Sequence, residues 1–269
     1  MESMDWKNLS TYFSNIPTGF ISDLFEDSTY PWSPLSRLQI SIETFFNNRH
    51  DSGELSGEKT LIFKNGTEFH EGGYHITQSG ILTEDFIDKE LKIYIGSGSF
   101  VEAGATIKNH TIIERHCEIR QGAYIRGFAF VGEGSVIGHT TEIKNAIFIK
   151  HVEAGHFAYI GDTIVGSYVN LGAGTKISNL EFRSFDAKKN ERFPQIPFRA
   201  EKKAIQTDLS KFGAIIGDGC ETGCNSVLCP FVLLEPECWV MPCHCVIKGI
   251  YKKGSLIRNK QPQHKKLLP

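Results

Sequence analysis

Aliphatic residues recur at every sixth position through the middle of the chain: Ile95, Val101, Ile107, Ile113, Ile119, Ile125, Val131, Ile137, Ile143 and Ile149. Four places after each stands a mostly small residue: Ser99, Ala105, Thr111, Cys117, Ala123, Ala129, Ser135, Thr141 and then Ile147. An α-helix or a hairpin sheet has a shorter period; a six-residue period is that of a parallel β-helix. Each unit forms one flat side of a triangular prism, with the aliphatic residue pointing inward and the small residue turning the corner. Three units close a coil. Residues eighteen apart therefore lie above one another, about 5 Å apart, the spacing of neighbouring strands.

The period returns at Ile216, Thr222, Leu228, Leu234, Val240 and Val246, and is partly present at Val165, Leu171 and Ile177. From Ile149 to Val165 the step is sixteen, four more than two repeats. This predicts a segment bulging from the prism, and a break in a regular scaffold is where chemistry is expected.

Residues 1–92 lack the repeat. Trp6 to Phe25 and Leu35 to Phe46 read as helical or mixed, interrupted by Pro17, Pro31 and Pro34. Lys59 to Leu82 alternates, with turn signals at Asn65-Gly66 and Gly72-Gly73. The expected fold is mainly β, a parallel β-helix over 93–250 with a small N-terminal α+β cap, 1–92, covering the open end against edge pairing. Residues 179–213 are charged and aperiodic, an inserted loop, and 251–269 form a basic tail. From Cys238 onward there is no acidic residue but there are seven basic ones: Lys248, Lys252, Lys253, Arg258, Lys260, Lys265 and Lys266. They suit either a solvated tail or a polyanionic ligand.

At 269 residues the chain can bury a sizeable core. A net charge of −2 argues against a general attraction to nucleic acid or membrane. No apolar run is long enough to span a bilayer, and the N-terminus lacks signal-peptide form, so a soluble, cytoplasmic protein is expected. Seven cysteines, an odd number, argue against a disulfide framework. Cys220 and Cys238 stand eighteen apart at the small corner position and read as buried filler. No CxxC pair is present, and no metal is expected.

On the face holding Ile107, Ile125 and Ile143 the next residue outward is Lys108, Arg126 and Lys144. Three stacked cations repel unless an anion or an acidic partner lies among them. A phosphate or diphosphate would satisfy them, with Arg126 supplying bidentate geometry; acidic groups of a neighbouring subunit are the alternative.

The stretch Ala154 to Asn179 contains Gly155-His156, Tyr159, Gly161-Asp162, then Tyr168 to Thr175 as YVNLGAGT, then Ser178-Asn179-Leu180. It resembles the acetyltransferase domain of the bacterial bifunctional enzyme that acetylates glucosamine-1-phosphate and then uridylylates the product, with its GH-x-x-Y-x-GD, NVNIGAGT and CNY segments. The resemblance spans about 95–178 and 214–246. It implies a left-handed prism, a homotrimer with sites shared between subunits, and acetyl-CoA as acyl donor. It implies that His156 is the general base taking a proton from the sugar amine, a task suited to an imidazole near neutrality. Arg126, Lys144, Tyr159, Asn170 and Asn179 would hold the sugar phosphate. Cys224 and Pro242 would line the CoA groove, with Arg258 or Lys260 on a CoA phosphate. Leu180 departs from the family's Tyr. The family's nucleotidyltransferase domain, with its LAAGxGTRM loop, has no counterpart here, so pyrophosphorylase activity is not expected. Lys211 to Asn225 and the 179–213 insert are closer to related sugar-nucleotidyltransferase-like hexapeptide proteins.

The leading reading is an acetyl-CoA-dependent N-acetyltransferase acting on an amino-sugar phosphate such as glucosamine-1-phosphate, in UDP-N-acetylglucosamine or cell-envelope precursor synthesis. A second is a non-catalytic sugar-nucleotide-binding or scaffold subunit partnering a separate nucleotidyltransferase. A third is a zinc enzyme resembling the γ-class carbonic anhydrases, for which His116, His151 and His156 would be ligands.

Overall fold

A computed structural model describes residues 6–51, 67–69 and 72–258. The Asn65-Gly66 turn and Lys260, Lys265 and Lys266 lie outside the described residues. The prism has three faces, each a row of short parallel strands. Inward residues of the first face are Ile95, Ile113, Val131, Phe148, Val165, Ile216, Leu234 and Tyr251. The second face stacks Val101, Ile119, Ile137, Ala154, Leu171, Thr222, Val240 and Ile257. The third stacks Ile107, Ile125, Ile143, Ile160, Ile177, Leu228 and Val246. Most are wholly buried, and each buried aliphatic side chain stabilises the stack by about 1.5–3 kcal/mol.

No segment bulges between Ile149 and Val165. The coil shortens instead. Ala129 pairs with Ala146 and Ile143 with Ile160, so the ruler here reads seventeen, not eighteen. The inward positions step by five from Ile143 to Phe148 and again from Ile160 to Val165. The physical reason is that strands Glu142–Phe148 and Tyr159–Val165 run round the corner without interruption. Asn145 (φ 46°) and Asp162 (φ 50°) turn it in the left-handed region, which Asn and Asp tolerate better than most residues. Ile149 consequently leaves the prism interior and packs on the flank.

Cys117, Cys220 and Cys238 are buried at corners, as their spacing indicated. Burial pushes the Cys117 thiol up to about 12, which leaves it unreactive near neutral pH.

The N-terminal region divides in two. Strands Gly73–Ile76, Gly80–Ile81 and Phe86–Asp88 pair antiparallel with the first coil and cover its edge. Ile76, Leu82 and Phe86 plug the prism core. The helices α1 (Phe20–Phe25) and α2 (Ser33–Asp51) lie along the first face rather than over the end. The outward column of that face explains why: Tyr94, Ile112, Phe130, Ile147, Ile164, Ile215, Leu233 and Ile250 are all apolar. Phe20 stacks on Phe130 with centroids 5.3 Å apart, and Phe45 meets Tyr94 at 6.1 Å.

Between Ile177 and Ala214 the chain makes an excursion closed at its base by the Phe212 N–H donating to the Asn179 carbonyl (2.9 Å). It contains α3 (Phe185–Lys189) and a hairpin, Phe198–Ala200 with Lys203–Ile205. Phe198 and Phe212 pack with Trp32 and Phe231, joining the excursion to the helical flank.

Candidate functional site

The corner between the second and third faces is a continuous backbone column. Thr140 N–H donates to the Gln121 carbonyl, Phe157 to His139, Gly174 to His156, Asn225 to Ala173 and Cys243 to Cys224. Gln121, His139, His156, Ala173, Cys224 and Pro242 thus occupy successive levels of one edge. His156 is exposed, as are Cys224 and Pro242, and Cys224 lies two coils above it, about 10 Å by strand spacing. The His156 ring packs near Phe157 (6.1 Å between centroids) and makes no hydrogen bond among the described residues.

The third face starts from this corner. Its first outward column runs Tyr124, Glu142, Tyr159 and Lys176; its second runs Lys108, Arg126, Lys144 and Gly161. The cationic column expected from the spacing is therefore present. Within it Arg126 is paired with Glu142 of the same chain, whose Oε1 accepts from Arg126 Nη1 at 2.7 Å. That bond raises the guanidinium pKa. Lys144 is partly buried and has no polar partner among the described residues.

Tyr159 lies across the face. An added Cβ on Gly161 would stand 2.8 Å from its hydroxyl and 2.7 Å from Asn179 Nδ2, so glycine is what lets these two groups meet. Burial, then the charges of Glu142 and Asp162, raise the Tyr159 pKa, which keeps the phenol a hydrogen-bond donor. Asn179 is held in turn by the buried Asp162: Asn145 Nδ2 donates to Oδ1 at 2.7 Å and Asn179 Nδ2 to Oδ2. The shortened corner thus builds an Asn145–Asp162–Asn179 ladder through three coils.

The structure brings Arg126, Lys144, Tyr159 and Asn179 to one face, with His156 at the edge where that face begins. Asn170 is elsewhere, on the second face between Glu153 and Glu221. Cys224 and Pro242 continue the His156 edge, and Arg258 ends the column of Gly223 and Met241 beside Pro242. His116 and His151 stand on the corner between the first and second faces, away from His156. No three His, Cys, Asp or Glu side chains converge as metal ligands among the described residues.

Sequence reasoning missed Glu142, Lys176 and His139, and matched Asp162 within Gly161-Asp162 without giving it a role. Lys176 Nζ donates to the carbonyls of Phe157 (2.6 Å) and Gly174 (2.9 Å), fixing a cation beside His156. The signal for Asp162, His139 and Lys176 was the seventeen-residue offset, which stacks Asp162 between Asn145 and Asn179, His139 under His156 and Lys176 over Tyr159; Glu142 keeps the eighteen-residue spacing, over Tyr124.

The family model described as the GMPPB C-terminal domain matches residues 107–193. A protein of Methanococcus aeolicus named bifunctional protein GlmU is 31% identical over 130 residues, 48% of this chain and 29% of the relative. That of Methanocaldococcus jannaschii is 29% identical over 135 residues, 48% of this chain and 30% of the relative. The chain resembles the hexapeptide acetyltransferase part of these proteins. A bifunctional sugar-1-phosphate nucleotidylyltransferase/acetyltransferase of Sulfurisphaera tokodaii is 31% identical over 110 residues, 41% of this chain and 25% of the relative. The chain thus spans about 30% of the length of the curated relatives it matches. Among solved structures, a UDP-N-acetylglucosamine acyltransferase of Francisella novicida covers 57% of this chain and 54% of its own at 15% identity, with a TM-score of 0.24, too slight a likeness to carry an argument. No helix among the described residues is long and apolar enough to cross a membrane.

Proposed function

We propose that the chain is an acetyl-CoA-dependent N-acetyltransferase of the hexapeptide-repeat class, acting on an amino-sugar phosphate such as glucosamine-1-phosphate. The observation that carries this reading is the shared edge: His156 stands where the phosphate-suited face of Arg126, Lys144, Tyr159 and Asn179 begins, and the same edge continues to Cys224 and Pro242. A cationic face suits the acceptor's phosphate, His156 takes the amine proton as nitrogen attacks the thioester carbonyl, and the upper edge receives the pantetheine arm of acetyl-CoA, with Arg258 beside it for a phosphate. The product would serve UDP-N-acetylglucosamine or cell-envelope precursor synthesis in the cytoplasm.

The placement of Asn170 supports a homotrimer. It lies on the adjoining face, where it would meet the acceptor only in a neighbouring copy. Light scattering at micromolar concentration should give three times the chain mass; a monomer would remove Asn170 from the site. The same displacement is what favours the second reading, a sugar-nucleotide-binding scaffold for a separate nucleotidyltransferase. Release of free CoA from acetyl-CoA in the presence of glucosamine-1-phosphate and other amino-sugar phosphates, followed by thiol detection, separates the two. Binding of a sugar nucleotide with no CoA released would favour the scaffold.

A further inference from the structure

Resting on that reading, we propose that His139 is a positioning and proton-accepting partner of His156, and that the two imidazoles divide the protons the reaction must move. An ammonium acceptor and a thioester give an amide, a thiol and one free proton. Two protons leave nitrogen, the N–C bond forms, the C–S bond breaks, one proton ends on sulfur, and the other goes to solvent. A single base serving both must discharge to solvent before it can accept the second proton.

The edge holds a second base suited to the task. His139 lies in register one coil below His156, and its ring meets Phe157 edge-on at 5.4 Å, the same ring that contacts His156. His139 Nδ1 is 2.9 Å from the Gln121 carbonyl oxygen. A carbonyl only accepts, so Nδ1 carries the hydrogen and Nε2 of the neutral ring holds the lone pair. This is the arrangement by which a catalytic base is oriented by a third group, and His156 has no such partner among the described residues. Charged groups on the coils packed above and below include His156, Glu153 and Lys176, Glu102, the Glu118–Arg120 pair and the Glu142–Arg126 pair. In this division His156 takes the proton released from nitrogen on attack and returns it to sulfur. His139 Nε2 takes the ammonium proton, passed on through His156, and releases it to water.

The test is the pH profile of kcat/KM for CoA release, pH 6.5 to 9, with wild type, His139→Asn and His156→Asn. Asn keeps an N–H for the Gln121 carbonyl. An amine titrating near the α-amino value, about 8, is charged at the low end and neutral at the high end. His139→Asn should fall roughly tenfold below wild type at pH 6.5 and less than about twofold at pH 9, whereas His156→Asn should be reduced throughout. A wild-type to His139→Asn ratio that is constant with pH overturns the proposal, as does an unchanged rate. Should the Asn variant lose its melting transition, His139→Gln is read the same way. A wild type that releases no CoA sinks the acetyltransferase reading and this proposal with it; an active wild type with a flat ratio sinks the proposal alone.

Discussion

Arg126 and Glu142 stand on adjacent strands of the third face with guanidinium Nη1 2.7 Å from carboxylate Oε1. The pair aims the guanidinium but also halves its use, since an incoming phosphate must share it. Replacing Glu142 by Gln keeps an acceptor oxygen and removes the charge. KM for a phosphorylated acceptor should fall roughly threefold at low ionic strength, and the gain should shrink with added salt. Arg126→Ala or Lys144→Ala should raise KM by about ten- to a hundredfold, each removing a charge-assisted contact worth about 1.5–3 kcal/mol. Initial rates at two salt concentrations check both directions.

His156→Ala should lower kcat by roughly two to four powers of ten. Binding of acetyl-CoA, measured by calorimetry, should remain nearly intact, because the imidazole meets the amine and not the cofactor. Parallel loss of acetyl-CoA binding would place His156 in the donor groove instead.

Two glycines one level apart should answer alanine in opposite ways. A Cβ on Gly138 would stand 1.8 Å from the Gly155 carbonyl oxygen, whereas one on Gly155 meets nothing nearer than Arg120 Nη1 at 3.8 Å. Gly138→Ala should cost several kcal/mol, about 3 or more, as the stacked backbones are forced apart. Gly155→Ala should melt within about 2 °C of wild type, so any loss of turnover in it reports on the space beside His156.

The prism itself was legible because six-residue spacing has one structural meaning, and the eighteen-residue stacking of Ile and Val holds from Ile95 to Ile143. The expected bulge after Ile149 failed because counting aliphatic residues cannot separate an inward Phe148 from a flank-facing Ile149: both are apolar, and both are buried. The deciding events were backbone ones, at Asn145 and Asp162. The helical flank escaped for a related reason. Its partner is a column of outward positions, Ile112, Phe130 and Ile147 among them, whose apolar character is visible only once the inward register is known. The basic column survived because Lys108, Arg126 and Lys144 precede the shortened corner.

Asp85 joins the end strands to the first coils, accepting from Ser97 N–H at 2.8 Å, Tyr94 Oη at 2.9 Å and Arg115 Nη2 at 3.1 Å. Burial raises its pKa, but these hydrogen bonds outweigh that and bring it to about 2. A depressed carboxylate stabilises the fold above its unfolded value, about 3.9, and that contribution is lost as pH falls toward 2. After allowance for solvent screening it is about 1 kcal/mol. Asp85→Asn should therefore melt about 2–4 °C below wild type at pH 7, with the gap narrowing between pH 4 and pH 3. An equal gap at pH 7 and pH 3 would assign the loss to packing rather than charge.

A stack of coils that touch only their neighbours can fray from either end, one level at a time. The N-terminal segment forbids this. Phe45 rests on Tyr94 in the first coil, Phe20 on Phe130, and Trp32 on Phe231 near the last, while Ser14 and the Tyr12 carbonyl bind Asp218. One short length of chain thus acts as a tie-bar along nearly the whole column, so that no level between can come loose without straining the rest. The molecule is built from repeats, yet it should come apart as a single cooperative unit.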